Sequence, residues 1–257
     1  MARRERRPAA GGYSAPALEK GLDIVELLAA ASTPLSTRAI AERIGRSKGE
    51  IFRMVFVLVQ RGYLVRDATS DELTLSNRLF DLGMRTPRSR QLVEVAVPAM
   101  ERLSERTGQS AHLVVVNRGE TVVVATTTGT ADISFTLRLG YRRPAHDATS
   151  GRIVMAFQSA ARRATMLQDS FAVSSDRTAK EEIAAALDSI AAAGHLVAES
   201  HDVVGVTDIG APVLSRRGEA VASIVVPYLN RHGASPRHDV ILAALIDTCR
   251  EIGNALG

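Results

Sequence analysis

Four residues near the start of one predicted helix have side chains suited to binding nucleic acid. Ser47 and Glu50 have the spacing of a capping box, in which each side chain satisfies a backbone N–H at the helix start. Lys48 lies at the same end, where the partial positive charge of a helix favours a phosphate, and Arg53 follows. Glu50 could also accept a hydrogen bond from cytosine N4, but we expect the capping role.

A second set of polar residues, Thr149, Ser150 and Gly151, precedes an apolar helix predicted over residues 152–157. Free backbone N–H groups at a helix start favour an anionic group. The sequence contains no HExxH motif and no phosphate-binding glycine loop. It also lacks a GxSxG nucleophile elbow, because its one GxSxG match, residues 45–49, lies between two predicted helices and not between a strand and a helix. A metal-dependent enzyme that uses His195 and His201 remains an alternative, and an exposed strand end is the other interpretation of that pair.

The residues around Ser47 are positioned by two helices and a hairpin. Ser36 can cap a helix over residues 37–44 that Gly45 ends, and the second helix begins at once and closes at Gly62. Residues 63–66 and 72–75 are short strand candidates around a turn-forming cluster. This order predicts a winged helix-turn-helix, whose second helix reads DNA.

A third helix, over residues 15–31, is expected to close the core of this domain. Its predicted buried stripe is Leu18, Leu22, Val25 and Leu28. Charge supports the DNA-binding interpretation: residues 1–90 contain 16 Lys and Arg against 10 Asp and Glu, whereas the rest contains 16 against 18. A basic region binds a polyanionic partner more tightly because binding releases the counterions of that partner.

Composition also limits the other classes of protein. Residues 1–13 are basic and lack apolar periodicity, so we expect a disordered arm that either follows a DNA groove or has no specific role. No run of about 20 apolar residues predicts a membrane span, and we expect a cytoplasmic protein. The single cysteine, Cys249, excludes an internal disulfide and a zinc–thiolate cluster.

The rest of the chain predicts an α+β domain around an antiparallel sheet. Helices over 76–84 and 89–107, broken at Thr86-Pro87, lead to a hairpin of residues 111–116 and 121–127 and a third strand over 133–139. Helices follow at 160–168 and 179–193, then strands at 195–199, 208–214 and 220–227, and a helix over 237–256. The predicted domains are an arm (1–13), a winged helix-turn-helix (14–76), a linker helix (77–90) and an effector-binding domain (91–257).

Taken together, the chain resembles the IclR family of bacterial transcriptional regulators. The resemblance rests on residues 17–25, Phe52-Arg53, Gly62-Tyr63-Leu64, 146–152 and 205–212. It implies a winged helix-turn-helix, a linker helix and a GAF-like domain that binds a small-molecule effector. We assign the effector site to Leu139, His146, Thr149, Ser150, Gly151, Asp208 and Ser223, and the DNA contacts to Arg38, Arg46, Ser47, Lys48, Gly49, Glu50, Arg53 and Arg66.

Three positions depart from the family pattern. Asp208 stands where many members have cysteine, Val225 where a second serine is frequent, and Gly49-Glu50 where a Ser-Thr pair is common. A carboxylate disfavours a small oxo-acid unless a cation compensates, and Arg138, Arg142, Arg143 and His146 are the candidates. We therefore expect a larger, mostly apolar effector, including aromatic ones, with a hydroxyl or amine reaching Asp208. Alternatively, Asp208 is a buried or surface carboxylate that pairs with a neighbouring arginine.

The resemblance also implies partners. A homodimer would place two reading helices in successive major grooves of a pseudo-palindromic site, and a tetramer is equally open. Neither a cofactor nor a membrane partner is expected. A sensor module whose helix-turn-helix does not bind DNA specifically is the second alternative, because the Ser-Thr pair is missing.

Overall fold

The computed structural model describes residues 15–85, 87–174, 180–229 and 238–256. The chain divides into two compact units, Met1–Thr86 and Pro87–Gly257. The predicted basic arm lies outside the described residues. No helix in the described ranges is long and apolar enough to cross a membrane.

The N-terminal unit is a winged helix-turn-helix. Its elements in chain order are α1 (Pro16–Ala30), α2 (Thr37–Ile44), α3 (Lys48–Gln60), β1 (Leu64–Arg66), β2 (Leu73–Leu75) and α4 (Arg78–Arg85). The two strands pair antiparallel, and Leu35 forms a bridge to Leu73 of β2. The helix-turn-helix and the hairpin predicted from the sequence are thus confirmed.

Local hydrogen bonds explain why these elements begin and end where they do. The Ser36 hydroxyl accepts from Ala39 N at 3.2 Å at the start of α2. Gly45 ends that helix with a φ of +66°, a conformation that costs a side-chain-bearing residue energy. In the wing turn, Asp67 Oδ1 accepts from Thr69 N at 2.9 Å and Ser70 N at 2.8 Å.

The buried side of α1 differs from the predicted stripe. Ile24 and Leu28 are buried against α3 and the wing, whereas Leu18 and Leu22 are 63% and 53% exposed. The prediction is confirmed for Leu28 and wrong for Leu18 and Leu22, because α1 has apolar residues on two overlapping faces and helical spacing alone does not say which face packs on the partner.

The C-terminal unit is built on a six-stranded antiparallel sheet in the order β5-β4-β3-β8-β7-β6. The strands are β3 (Ala111–Asn117), β4 (Glu120–Thr127), β5 (Arg142–Pro144), β6 (Leu196–Glu199), β7 (Val206–Leu214) and β8 (Ala220–Leu229). The helices are α5 (Pro87–Thr107), α6 (Thr149–Ala156), α7 (Ala160–Ala172), α8 (Lys180–Ala193) and α9 (His238–Ala255). The predicted α+β class is confirmed.

Helices cover both faces of this sheet. Helices α5 and α9 pack on one face over a core that includes Leu113, Ile209 and Ile224. Helix α6 packs on the other face, next to β8, β7 and β3, and contacts α8 in turn. Polar side chains from alternate positions of β3, β7 and β8 therefore point towards α6.

The two helices predicted on either side of Thr86-Pro87 are confirmed, since α4 ends at Arg85 and α5 begins at Pro87. One predicted element of the C-terminal unit needs correction. The predicted strand over 133–139 is wrong, and the strand that pairs with β4 is β5. Phe135 and Leu137 do alternate with exposed residues, but Leu137 N donates to the side chain of His112 in β3, at 3.0 Å from Nε2, and not to a backbone carbonyl of a strand.

Candidate DNA-binding helix and effector cavity

The surface of α3 that faces away from its own unit carries an unusual mixture of residues. Ile51 and Val55 are buried and fix the helix on the core. Gly49, Phe52, Arg53 and Phe56 lie on the opposite, exposed side. The helix that the sequence predicted to read DNA thus presents a free surface with one cation and two aromatic rings.

Glu50 is committed to the start of α3. Its Oε2 accepts from Ser47 N at 3.1 Å and from the Ser47 hydroxyl at 2.9 Å, and its Oε1 accepts from Lys20 Nζ at 2.6 Å. The Lys20 and Ser47 hydrogen bonds lower the pKa of Glu50 to about 2. The predicted capping box is confirmed, and both carboxylate oxygens are already used within the unit.

The other predicted DNA contacts fall into two groups. Arg38 pairs with Glu42 at 2.9 Å and Arg66 pairs with Asp71 at 2.6 Å, so each cation is partly neutralised. Arg46, Lys48 and Arg53 are exposed and form no ion pair with any residue the structure describes, and Ser47 and Gly49 are exposed beside them. The unneutralised positive charge therefore lies along the start and outer side of α3.

A cavity lies on the α6 face of the sheet, between the central strands and the segment that precedes β5. Its volume is about 50 Å³. Its lining includes the predicted Thr149, Ser150 and Asp208, together with residues the sequence did not single out, among them His112, Phe135, Leu137, Tyr141 and Asp202. Polar groups from α6, β3, β7 and two loops therefore converge on a wall that also contains Val114, Val123, Val225 and Pro227.

Asp208 projects from β7 into this cavity. Burial raises the pKa of its carboxyl above the usual value, and the nearby Asp202 carboxylate acts in the same direction. The neighbouring Thr149 hydroxyl is the largest influence in the opposite direction, with smaller ones from His201 and Arg143. The carboxylate is therefore held in a place that disfavours its charge, which is common at functional sites.

An ion cluster borders the same cavity. Arg143 pairs with both Asp147 and Asp202, and the Tyr141 hydroxyl donates to Asp202 at 3.1 Å. His201 Nδ1 lies 3.7 Å from Asp147. Among the residues that the structure describes, Asp208 forms no ion pair, and Arg143, which lines the same cavity, is paired with two other carboxylates.

His112 is an uncharged member of the lining. Burial lowers its pKa to about 4, so the ring is neutral near pH 7. Its Nε2 accepts the hydrogen bond from Leu137 N, which places the ring proton on Nδ1. His112 therefore provides a neutral hydrogen-bond donor and no positive charge.

Four predicted effector residues lie elsewhere. Leu139 is 66% exposed and does not line the cavity. His146 is buried behind α6, where it stacks on Phe171 with 4.1 Å between ring centroids. Ser223 is buried and donates to Ser150 O at 3.0 Å, so its hydroxyl supports the start of α6. Gly151 contacts the backbone of Ala145.

The metal-site alternative lacks a cluster. His195 Nδ1 lies 2.9 Å from Ala193 O at the start of β6, whereas His201 follows the other end of that strand. Within the described ranges, no three His, Cys, Asp or Glu side chains are grouped so that they could hold a metal ion.

Replacing Asp208 with asparagine should stabilise the C-terminal unit at neutral pH. Below the ordinary pKa of an aspartate the group is protonated in both folded and unfolded chains and contributes no difference. As the pH rises from the ordinary pKa of an aspartate to the elevated native pKa, the folded protein loses stability because ionisation is harder there than in the unfolded chain, and the loss is complete above the native pKa. Urea unfolding should give Asp208→Asn a higher free energy of unfolding than wild type at pH 7 and an equal one at about pH 3. A parallel pH dependence in the two proteins would contradict this assignment.

A winged helix-turn-helix joined to a unit with a polar cavity defines the class of transcriptional regulators that carry their own ligand-binding domain. Two family descriptions match the chain: "Bacterial transcriptional regulator IclR C-terminal" over residues 84–254 and "IclR helix-turn-helix domain" over residues 17–68. The chain therefore belongs to the IclR family of bacterial transcriptional regulators. This is a family of regulators and not of enzymes.

Named relatives are distant in sequence. The chain is 22% identical over 221 residues to the HTH-type transcriptional regulator KdgR of Escherichia coli K12, covering 85% of this chain and 84% of that protein. It is 28% identical over 259 residues to BhcR of Paracoccus denitrificans, covering 96% and 91%. An IclR homolog from Microbacterium hydrocarbonoxydans, crystallised with 4-hydroxybenzoate, has the same fold with a TM-score of 0.78 and 20% identity, covering 93% and 98%.

Proposed function

We infer that this protein binds a pseudo-palindromic operator as a homo-oligomer and that a mostly apolar small molecule in the cavity at Asp208 changes that binding. The half-buried carboxyl of Asp208, which lines the cavity, is the observation that supports the ligand part. The exposed, unneutralised charge on α3 supports the DNA part.

DNA binding follows from the shape and charge of the N-terminal unit. A reading helix held by buried Ile51 and Val55 can enter a major groove while Lys48 and Arg53 meet phosphates. Two such helices related by twofold symmetry fit half-sites about 34 Å apart. Because proteins and sites of this type are both symmetric, a homodimer is the smallest assembly that supplies one reading helix to each half-site. A tetramer contains two such dimers.

The charge of the cavity favours a neutral or cationic effector. Among the described residues of the lining, Arg143 is the one Lys or Arg and is already paired with two carboxylates; of the two histidines there, His112 and His201, His112 is neutral. An anion near Asp208 and Asp202 would meet net repulsion in a partly buried place. A hydroxyl or amine that donates to Asp208 removes the cost of burying that carboxylate.

The apolar part of the lining matches the chemical character of an aromatic ring, although the cavity is smaller than one. Phe135, Val123 and Val225 provide apolar walls opposite the polar ones. The cavity of about 50 Å³ is smaller than the roughly 150 Å³ that holds a benzene molecule. An effector of this class therefore enters only when the segment over residues 128–141, which carries Phe135 and Leu137, moves outward. A homolog of the same fold, the one from Microbacterium hydrocarbonoxydans, was crystallised with an aromatic molecule, 4-hydroxybenzoate.

Calorimetry with a small panel tests the ligand assignment. Phenol, tyramine, 4-hydroxybenzoate and pyruvate differ in charge and size, and we expect the phenol and the amine to bind more tightly than either acid. Asp208→Ala should weaken the best ligand at least about tenfold, the loss of roughly one charge-assisted hydrogen bond. Asp247→Ala, an exposed carboxylate on α9, is the matched control. Equal affinity of wild type and Asp208→Ala would remove Asp208 from the site.

A gel shift with the DNA upstream of the protein's own gene tests the operator assignment. Wild type should retard that fragment in the presence of excess nonspecific DNA. The best ligand of the panel should change the protein concentration at which half of the fragment is bound. Absence of any specific shift would favour the alternative of a sensor module that does not bind DNA specifically.

A further inference from the structure

The exposed side of α3 has the residue spacing of a base-reading surface. Gly49, Phe52, Arg53 and Phe56 occupy positions i, i+3, i+4 and i+7, so they form one stripe opposite buried Ile51 and Val55. The third helix of homeodomains contacts bases with residues at the same four spacings. In this stripe, however, two of the four residues have purely apolar side chains.

The two phenylalanines lie outside the apolar core of the described part of their unit. Phe52 is 52% exposed and Phe56 is 57% exposed, and neither belongs to the apolar core of the winged helix-turn-helix. Two exposed aromatic rings on adjacent turns of one helix form an apolar patch of the kind that marks an interface. The exposed cations Lys48 and Arg53 lie on either side of Phe52 in the sequence and point to a polyanionic partner.

We propose that Phe52 and Phe56 recognise thymine by packing on its C5-methyl group in the major groove. The inference rests on the proposed function, because it assigns bases to the helix that reads the operator. The thymine methyl is the apolar group that base pairs present in the major groove, and a phenylalanine ring has no donor or acceptor for the other base edges.

Two further features support a close fit into the groove. Gly49 has open space around its Cα and no side chain, so the first turn of α3 can approach the base edges closely. The carboxylate of Glu50 is hydrogen-bonded to Lys20 and Ser47. The contacts with bases are therefore expected from the residues of the exposed stripe. Phe52 and Phe56 are four residues apart, a rise of about 6 Å along the helix, which is close to two base-pair steps. The preferred half-site therefore contains two T·A pairs about two steps apart.

Thymine-to-deoxyuridine exchange tests this proposal because it removes the methyl group and leaves the pairing edges unchanged. Duplexes are first selected from a random library with the full-length protein, and each thymine of the selected half-site is then replaced in turn. We expect thymine enrichment and an affinity about fourfold lower for each contacted methyl that is removed. Deoxyuridine in the flanking duplex is the control on the DNA side.

The protein variants complete a double-mutant cycle. Phe52→Ala and Phe56→Ala should each bind the thymine duplex more weakly and should each lose the sensitivity to deoxyuridine at one position. Val204→Ala, which shortens an exposed apolar residue of the other unit, should keep the full deoxyuridine effect. Both phenylalanines are exposed, so the variants should unfold at the wild-type temperature.

Distinct outcomes overturn the proposal. Wild type that binds thymine and deoxyuridine duplexes equally, or a Phe52→Ala/Phe56→Ala double variant that keeps the methyl effect, would show that other groups read these positions. A change in oligomeric state in the double variant, without a change in the methyl effect, would assign the patch to a second copy of the chain. Selection that returns no sequence would refute the proposed operator binding as well, which separates the two failures.

Discussion

Replacing Gly151 with alanine should lower the free energy of unfolding of the C-terminal unit by about 3 kcal/mol and weaken ligand binding. A Cβ at this position would lie 2.1 Å from Ala145 O and 2.6 Å from Ala145 Cα. Both contacts are with backbone, so no side chain can rotate away. The start of α6 must move instead, and it carries Thr149 and Ser150 in the cavity wall.

Urea unfolding and the ligand panel together measure this effect. Gly21→Ala is the matched control, since Gly21 lies within α1 with nothing near its missing Cβ, and alanine there should leave stability unchanged or raise it by up to about 1 kcal/mol. Wild-type stability in Gly151→Ala would show that the turn at Ala145 relaxes easily. The contact between α6 and that turn would then not fix the cavity.

Replacing Arg53 with alanine should weaken operator binding about tenfold and nonspecific binding by a similar factor. Arg53 is exposed in the middle of the reading helix and unpaired within the described part of the chain, so its charge is available to a phosphate. Loss of one phosphate contact should also reduce the slope of log affinity against log salt by roughly one.

Fluorescence anisotropy from 50 to 200 mM salt separates this effect from a loss of base recognition. A base-reading arginine would change specificity while the salt slope stayed near that of wild type. Arg217→Ala, an exposed arginine in the turn between β7 and β8, is the control and should leave both affinity and slope unchanged. An unchanged slope in Arg53→Ala would refute the phosphate contact.

The parts of the fold that depend on neighbours in sequence were predictable from the sequence. The Ser47–Glu50 capping box and the φ of +66° at Gly45 involve residues within one turn, where residue type determines the backbone. The side of α1 that packs was not predictable, because Leu18 and Ile24 are equally apolar and the choice depends on α3 and β2. The strand predicted over 133–139 failed for a similar reason, since extended alternation does not guarantee a pairing partner.

The residues of the cavity likewise include some that were predictable from the sequence and some that were not. The resemblance pointed to Thr149, Ser150 and Asp208, and all three line the cavity. His112 was missed because its role depends on Leu137, 25 residues away in sequence, which donates to its ring. A histidine flanked by apolar residues on a predicted strand was the only available signal. Leu139 was assigned by position, but the extended segment turns its neighbours Phe135 and Leu137 inward and leaves Leu139 exposed.

The burial of Cys249 makes the native chain suitable for site-directed labelling. It is the single cysteine in the sequence, it lies in α9 against the sheet, and burial raises the pKa of its thiol to about 12. Maleimides react with accessible thiolates, so the folded protein should remain unmodified. A cysteine introduced at Phe56 or Leu139 can therefore carry a fluorophore without removal of the native one, and DNA docking and movement of the cavity segment become observable in separate samples.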